Sequence, residues 1–541
     1  MSLRAKPRTK VLLAAVVAGA FIIPTTAAVA SPGSEPAAKP APAEQTNTGI
    51  KDAPNGIRIK VGIDKDKLDA IRAEARKARA EGRKPNFANQ PLKMGKALKN
   101  GSKKNVAPDL SLLQGAELSK KGAAANAAGD TAPAGAGATT EAGPSLKEYV
   151  PDPTGGENHQ GWVPIGNQPD TARLDACFNG LGLNQARIYN RYTTCSKYRF
   201  TAEYWSVDNS GVPVEHEGDT VATIKVFGQG DAKERRTRIF SEIEKDSVDY
   251  QWGPIDDWWT APGVPFSLMG QCSQDYTTCG AAPSSYTYPW ATWDNNPTWA
   301  HWDISNNPDK GKGRDKISYN QWYVEMFTDG GGYKTFDSGE TPERMQRCDS
   351  AGYMRDFRGT FPKACIFSEV VPHLTYSTGT NNHHGVSDHI REAFNNPNNT
   401  YPSPVPPQTK KIPGQYTGDP NSPGLHRITA KLHKGTYDDN RAHKDGACYG
   451  RGKYKELYEK TGIPVSERPD TSYQDCDEYP FASTLEGAAS KKWDFSVKAV
   501  DKKQNQEAGR MLRRYYLNDR MLAWDESLGE GENDEFYVRI R

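Results

Sequence analysis

The sequence predicts an α+β protein: a low-complexity N-terminal arm, a disulfide-stapled antiparallel β region, and a C-terminal segment where strands and helices alternate. Three observations carry that reading. Across residues 146–355, turn residues recur roughly every ten positions between short aromatic and β-branched runs. The eight cysteines fall into sequence-adjacent couples. Helical periodicity becomes pronounced only in the last third, at Lys503–Asn518.

The first residues address the chain rather than fold it. Arg4, Lys6, Arg8 and Lys10 precede an apolar run from Val11 to Ile23, and Ala28-Val29-Ala30 supplies an A-x-A cleavage site. This reads as a secretory signal peptide over 1–30, cleaved after Ala30. The run is too short to span a bilayer, and no later segment approaches that length. The mature chain is expected to be secreted and extracellular, with no membrane span. Cysteine usage agrees. Cys177 with Cys195, Cys272 with Cys279, Cys348 with Cys365 and Cys448 with Cys476 is the simplest bridging scheme in an oxidising compartment. The count leaves many other pairings open. Zinc binding needs short Cys-x-x-Cys spacing, which the sequence lacks.

Residues 31–145 read as a disordered arm with one charged helix. Residues 31–45 are rich in Pro and Ala, and 122–144 in Ala, Gly, Thr and Pro; neither buries enough apolar surface to offset chain ordering. Asp64–Arg83 is the helix, with Leu68, Ile71 and Ala75 as a thin apolar stripe. Lys and Arg outnumber acids over 51–121, which suits a solubilising arm or a tether to anionic cell-wall polymer or DNA backbone.

Residues 146–355 read as a β-rich accessory domain, a sandwich or barrel. Phe200–Val207 and Val221–Phe227 alternate on either side of the turn Asp208-Asn209-Ser210-Gly211. Tyr250–Trp252, Trp258-Trp259, Tyr286–Trp293 and Tyr319–Phe327 are further β-type runs. The tryptophans serve either inter-sheet packing or a stacking surface for sugars or bases.

In the last third, Phe367–Ser377 reads as a strand and Ser387–Phe394 as a short helix N-capped by Ser387. A proline-rich loop covers 401–414, the stretch Tyr437–Asp445 is polar, and Cys448–Gly462 reads as helix. Trp493–Val500 and Glu535–Ile540 read as strands. On the helix Lys503–Asn518, Asn505 shares the inward face with Gly509, Leu512 and Tyr516.

One stretch carries chemistry. Asp475, Asp477 and Glu478 sit within four residues, and Glu486 follows with no Lys or Arg between. Packed carboxylates repel, so such a cluster stays solvated, holds protons or binds a cation. The choice lies between a wet acidic loop beside a half-cystine and an oxygen-ligand site for a hard divalent ion.

The residues also carry a family resemblance. Asp477-Glu478-Tyr479-Pro480, followed by Glu486-Gly487, resembles the signature of the NucA/NucB deoxyribonucleases. Asn505-Gln506-Glu507-Ala508-Gly509 is similar to the family's N-x-x-A-G segment opening a helix. His389-Ile390 and the stretch from Arg441 to Cys448 resemble further family segments. The resemblance spans residues 366–541, and the layout resembles secreted actinobacterial multidomain members. It implies a ββα-metal nuclease domain and a secreted, metal-dependent endonuclease acting on DNA. It further implies Asp477 as general base, Asn505 as a helix-borne metal ligand, and Glu478 and Glu486 as catalytic or metal-binding residues. The metal would be Mg²⁺, Mn²⁺ or Ca²⁺. Arg441, Arg510 and Arg513 are candidate phosphate contacts, and a protein inhibitor is a further candidate partner. Physically, phosphodiester hydrolysis needs a base within reach of water and a cation against the building charge.

Three features depart from that pattern. Gln506 stands where small relatives carry Arg. Asp525–Glu535 is an acidic insertion with no basic residue, expected to be a solvated hairpin tip. The formal net charge of +2 argues against a broadly basic DNA-coating surface, so affinity must be local and salt-sensitive. The alternative from another class is a non-catalytic wall- or glycan-binding protein using its Trp-rich region; a two-carboxylate glycosidase is a third.

Overall fold

The computed structural model describes residues 56–82, 161–252, 261–272, 279–282, 285–295, 299–356, 358–418 and 422–541. The signal peptide, the Pro/Ala-rich and Gly/Ala-rich stretches and Trp258-Trp259 lie outside the described residues.

Part of the expected arm belongs to the fold. Ile57–Asp64 is a strand running parallel to Thr193–Val207 and antiparallel to Tyr333–Asp337. Its alternate residues Ile57, Ile59, Val61 and Ile63 are all buried, a period-two pattern that marks a half-buried strand. Disorder is therefore the wrong description of 57–64. The charged helix follows as expected, over Lys65–Ala80. It buries Leu68, and Arg72 reaches Glu217 at 2.7 Å.

Among the described residues, two sheets form the β-rich region. The larger has Thr193–Val207, Pro213–Gly230, Arg236–Ile243 and Ala300–Asn306 in sequence across it. The smaller is built on Arg344–Asp349, Ser318–Phe327 and Pro265–Cys272. Their apolar faces share one core, where Phe200, Phe266 and Trp290 form a mutually stacked cluster, with Phe266 5.4 Å from Phe200 and 4.0 Å from Trp290. Trp290, Trp293, Trp302 and Trp322 are all buried in it, so these four serve packing. The run Tyr286–Trp293 is only half strand: the ladder stops at Pro289, which has no N–H to give, and Trp290–Asn295 is helical.

The expected strand Phe367–Ser377 is two strands. Ala364–Phe367 closes the smaller β-rich sheet, whereas His373–Tyr376 runs parallel to Glu535–Ile540, whose other edge pairs with Leu425–His426. Pro372 separates them, so the chain crosses here from one region to the other.

The crossing is reinforced by buried charge. Arg191 donates to Asp519 O (2.9 Å) and Arg347 to Arg520 O (2.8 Å). Arg520 pairs with Asp349 at 2.7 Å, and Arg347 pairs with Asp534. These cations meet the carbonyl end of the helix Lys502–Asn518, where the helix dipole favours positive charge. The acidic insertion keeps a solvent-exposed tip at Glu526, Ser527, Gly529 and Glu530, as expected, but its two ends are held there too. Asp525 accepts the Arg314 N–H at 2.5 Å, Glu532 pairs with Lys312 at 2.6 Å, and Asn533 is buried. The described residues contain no helix long and apolar enough to cross a membrane.

Candidate active site

The C-terminal centre is a hairpin running into a helix. Gln474–Tyr479 pairs antiparallel with Ser496–Asp501, Asp477 opposite Lys498. Asp501 then caps the helix Lys502–Asn518, accepting from the N–H groups of Lys503 (2.9 Å) and Gln504 (3.0 Å). Ala508, Leu512, Tyr515 and Tyr516 form its buried stripe, and Tyr376 ties it down through a 3.0 Å hydrogen bond to Ala508 O.

Strand alternation sorts the carboxylates. Cys476 and Glu478 share one face and Asp475 and Asp477 the other. The first face meets the helix Lys434–Tyr449, to which Cys476 is bridged through Cys448. That helix begins well upstream of the expected Cys448–Gly462. Gly450, at φ +62°, ends it in a left-handed cap, so the polar stretch Tyr437–Asp445 is helix interior.

Asp477 faces the helix His384–Asn395, which starts before Ser387. Ser387 is not its cap: its hydroxyl bonds back to His384 O at 2.9 Å, inside the first turns. His389 of this helix approaches Asp477 Oδ2 through Nδ1 at 2.6 Å and Ser496 Oγ through Nε2 at 2.7 Å. All three side chains are buried. The connectivity is that of an acyl-transfer triad. Ser496, however, is fully buried and paired in the strand opposite Tyr479, so its oxygen is closed to an acyl substrate.

Asn505 lies over the same strand, its Nδ2 donating to Cys476 O at 3.5 Å. That leaves Oδ1, a neutral oxygen donor suited to a hard cation, beside the backbone that carries Asp477.

The two glutamates lie elsewhere. Glu478 accepts the Ala482 N–H at 3.0 Å, while its Oε2 is buried without a hydrogen-bond partner. Burial, with the Asp477 charge adding to it, pushes its carboxyl up to about 7 against the pull of Lys444 and Arg441. Glu486 has both oxygens engaged by His426, one by the backbone N–H and one by Nδ1, each at 2.8 Å. Burial alone would lower the His426 pKa, but the hydrogen bond and charge of Glu486 outweigh it and raise it. The expectation that Glu478 and Glu486 join Asn505 around one ion is therefore not met: alternation turns Glu478 to the opposite face, and His426 occupies Glu486. Among the described residues, no three His, Cys, Asp or Glu side chains converge in a metal cage.

The Glu486-Gly487 part of the signature has a structural reason. Buried Asn440 holds this loop by donating to Ala482 O (3.1 Å) and Thr484 O (3.0 Å) and accepting from Ala489 N–H (2.8 Å). A Cβ at Gly487 would sit 2.4 Å from the Asn440 amide. Of the candidate phosphate contacts, Arg441 and Arg513 are exposed, whereas Arg510 is already paired with Glu507 at 2.8 Å on its own helix. No local spacing in the sequence marks Ser496, His426 or Asn440. His389 sits on the core face with Val386, Ile390 and Ala393, a polar residue in an apolar stripe, and that was its visible signal.

Three disulfides pair as nearest neighbours: Cys177–Cys195, Cys348–Cys365 and Cys448–Cys476. Cys272 is also bridged; the side chain of Cys279 lies outside the described residues.

The C-terminal region thus holds a two-stranded hairpin that runs directly into a helix, with buried Asp477 on the hairpin and Asn505 on the helix. Residues 427–526 match the family model Deoxyribonuclease NucA/NucB. The match takes in Asp477, Glu478, Glu486 and Asn505 and supports a NucA/NucB-type deoxyribonuclease domain. It is narrower than residues 366–541 and leaves out His389. No curated protein matches the chain, and no solved structure matches it.

Proposed function

We propose that this protein is a secreted, metal-dependent endonuclease that hydrolyses phosphodiester bonds of DNA on the face of the hairpin shared by Asp477 and Asn505. The observation that supports it is their closeness along the strand: Asn505 bonds the carbonyl of Cys476, the residue preceding Asp477, within the residues that match the nuclease family.

Asp477 is the general base. Its carboxylate is fixed by His389 and takes the proton of the attacking water. Asn505 is the protein ligand for Mg²⁺, Mn²⁺ or Ca²⁺, through Oδ1. Its neutral oxygen, with Asp475 on the same face by alternation, fits a hard ion that retains several waters. Such a cation supplies charge stabilisation on the phosphorane and on the leaving oxygen. Arg513, exposed on the helix that carries Asn505, is the nearer candidate for the phosphates, whereas Arg441 lies on the helix that acts on Glu478. Glu478 and Glu486 shape the centre from behind it: Glu478 fixes the turn at Ala482, and Glu486 ties the following loop to His426. The disulfides fit an oxidising, extracellular setting.

Plasmid nicking with and without EDTA tests this. The reading expects cleavage that stops with chelator and falls about 10²–10⁴-fold in Asp477→Ala. Cleavage indifferent to both would contradict it. Polysaccharide binding without DNA cleavage would favour the wall- or glycan-binding alternative.

A further inference from the structure

His389 is a wholly buried histidine with both ring nitrogens engaged, one on each strand of the hairpin. An ionised Asp477 only accepts, so Nδ1 is the donor to Oδ2. The Ser496 hydroxyl suits either state of the ring, donating to a neutral Nε2 or accepting from a charged one. Val386, Ile390 and Ala393, buried on the same helix face, keep the ring from swinging away. The helix is also tied to the one that carries Asn505, since the Gly385 N–H donates to Gln504 Oε1 at 2.6 Å. One element thus holds both halves of the centre, and it lies outside the residues matched to the nuclease family.

We infer that His389 is a positioning residue for the nuclease centre. It clamps one oxygen of Asp477, through a ring braced by Ser496, and so leaves the other oxygen to receive the proton. This rests on the proposed role of Asp477. The histidine itself touches neither substrate nor metal. It removes the rotation about the Asp477 side chain that would otherwise let the base drift from its water, an effect in which a ~1 Å displacement costs about 10²-fold.

The test is steady-state nicking by the full chain for His389→Ala, His389→Asn, Asp477→Ala and the double variant His389→Ala/Asp477→Ala, with melting curves for each. His389→Ala should lose about 10²-fold in kcat with KM for DNA nearly unchanged. His389→Asn, whose amide still donates, should recover roughly a tenfold part of that. The double variant should be no slower than Asp477→Ala, because a clamp with nothing to hold has no further effect. A wild-type kcat in His389→Ala would overturn the inference, as would an equal loss in the presence and absence of Asp477. Should His389→Ala fail to fold, Ser496→Ala decides: a lowered kcat at constant KM supports the clamp, and an unchanged kcat overturns it. Full activity in Asp477→Ala would instead sink the proposed function, so the two failures are distinguishable.

Discussion

Asp349 in the β-rich region and Asp477 in the C-terminal hairpin are both buried carboxylates, and they are held very differently. Asp349 is saturated. Arg520 bonds both its oxygens, Arg347 approaches at 3.5 Å, and the Ala351 N–H adds a contact at 3.1 Å. Among the described residues, one side chain, His389, hydrogen-bonds the Asp477 carboxylate, and it does so at a single oxygen. A saturated buried acid serves architecture. A buried acid with spare acceptor capacity is suited to take up a proton. The contrast extends to the arginines: Arg191 and Arg347 are buried braces, whereas Arg441 and Arg513 face solvent.

The largest effect should come from breaking the architectural member. Asp349→Ala strands Arg520 in the interior, and breaking a buried pair costs about 3–5 kcal/mol. Urea denaturation should show that loss in a single transition that carries the C-terminal region with it. Two separate transitions, with only the first shifted, would show that the regions are independent. Asp477→Ala should cost less stability, about 1–3 kcal/mol for the polar partners left unmatched, while nearly abolishing cleavage. A melting curve beside the nicking assay checks that inversion.

Glu478 gives a pH test in chelator-treated protein. Its folded pKa of about 7 lies above the ordinary 4.5, so the folded state favours the neutral acid. The stability from that preference is fully present below about pH 4.5 and is lost as pH rises to about 7. Thermal melting of Glu478→Gln against the parent from pH 4.5 to 7.5 should show a flatter profile in the variant. Parallel profiles would remove the burial argument. The smallest effects belong to the surface arginines. Arg513→Ala should reduce the slope of log K for DNA against log salt by about one. Arg510→Ala should change it less, since Glu507 already neutralises that side chain.

The sequence announced whatever is local. Glu535–Ile540 forms as expected, Lys503–Asn518 is extended by one residue, and the strand Trp493–Val500 shifts to Ser496–Asp501. The inward face of Asn505 was legible from helical spacing alone. What could not be read depends on distant partners. Nothing near Glu486 reveals that His426, sixty residues upstream, engages both its oxygens. The tip of the acidic insertion is exposed as expected, but the anchoring of its ends was hidden because the partners, Arg314, Lys312 and Arg347, come from the β-rich region. Ile57–Asp64 departs from the expected arm for another reason. Its alternation was plain, but low-complexity neighbours on either side set the expectation for the whole arm.

The face shared by Asp477 and Asn505 can be tested directly by crystallising the protein with Mn²⁺ and locating the ion by anomalous scattering. The expected peak lies within about 2.5 Å of Asn505 Oδ1, on the His389 side of the strand. A peak seated instead on Glu478 or Glu486, with Asn505 bare, would contradict the proposed centre.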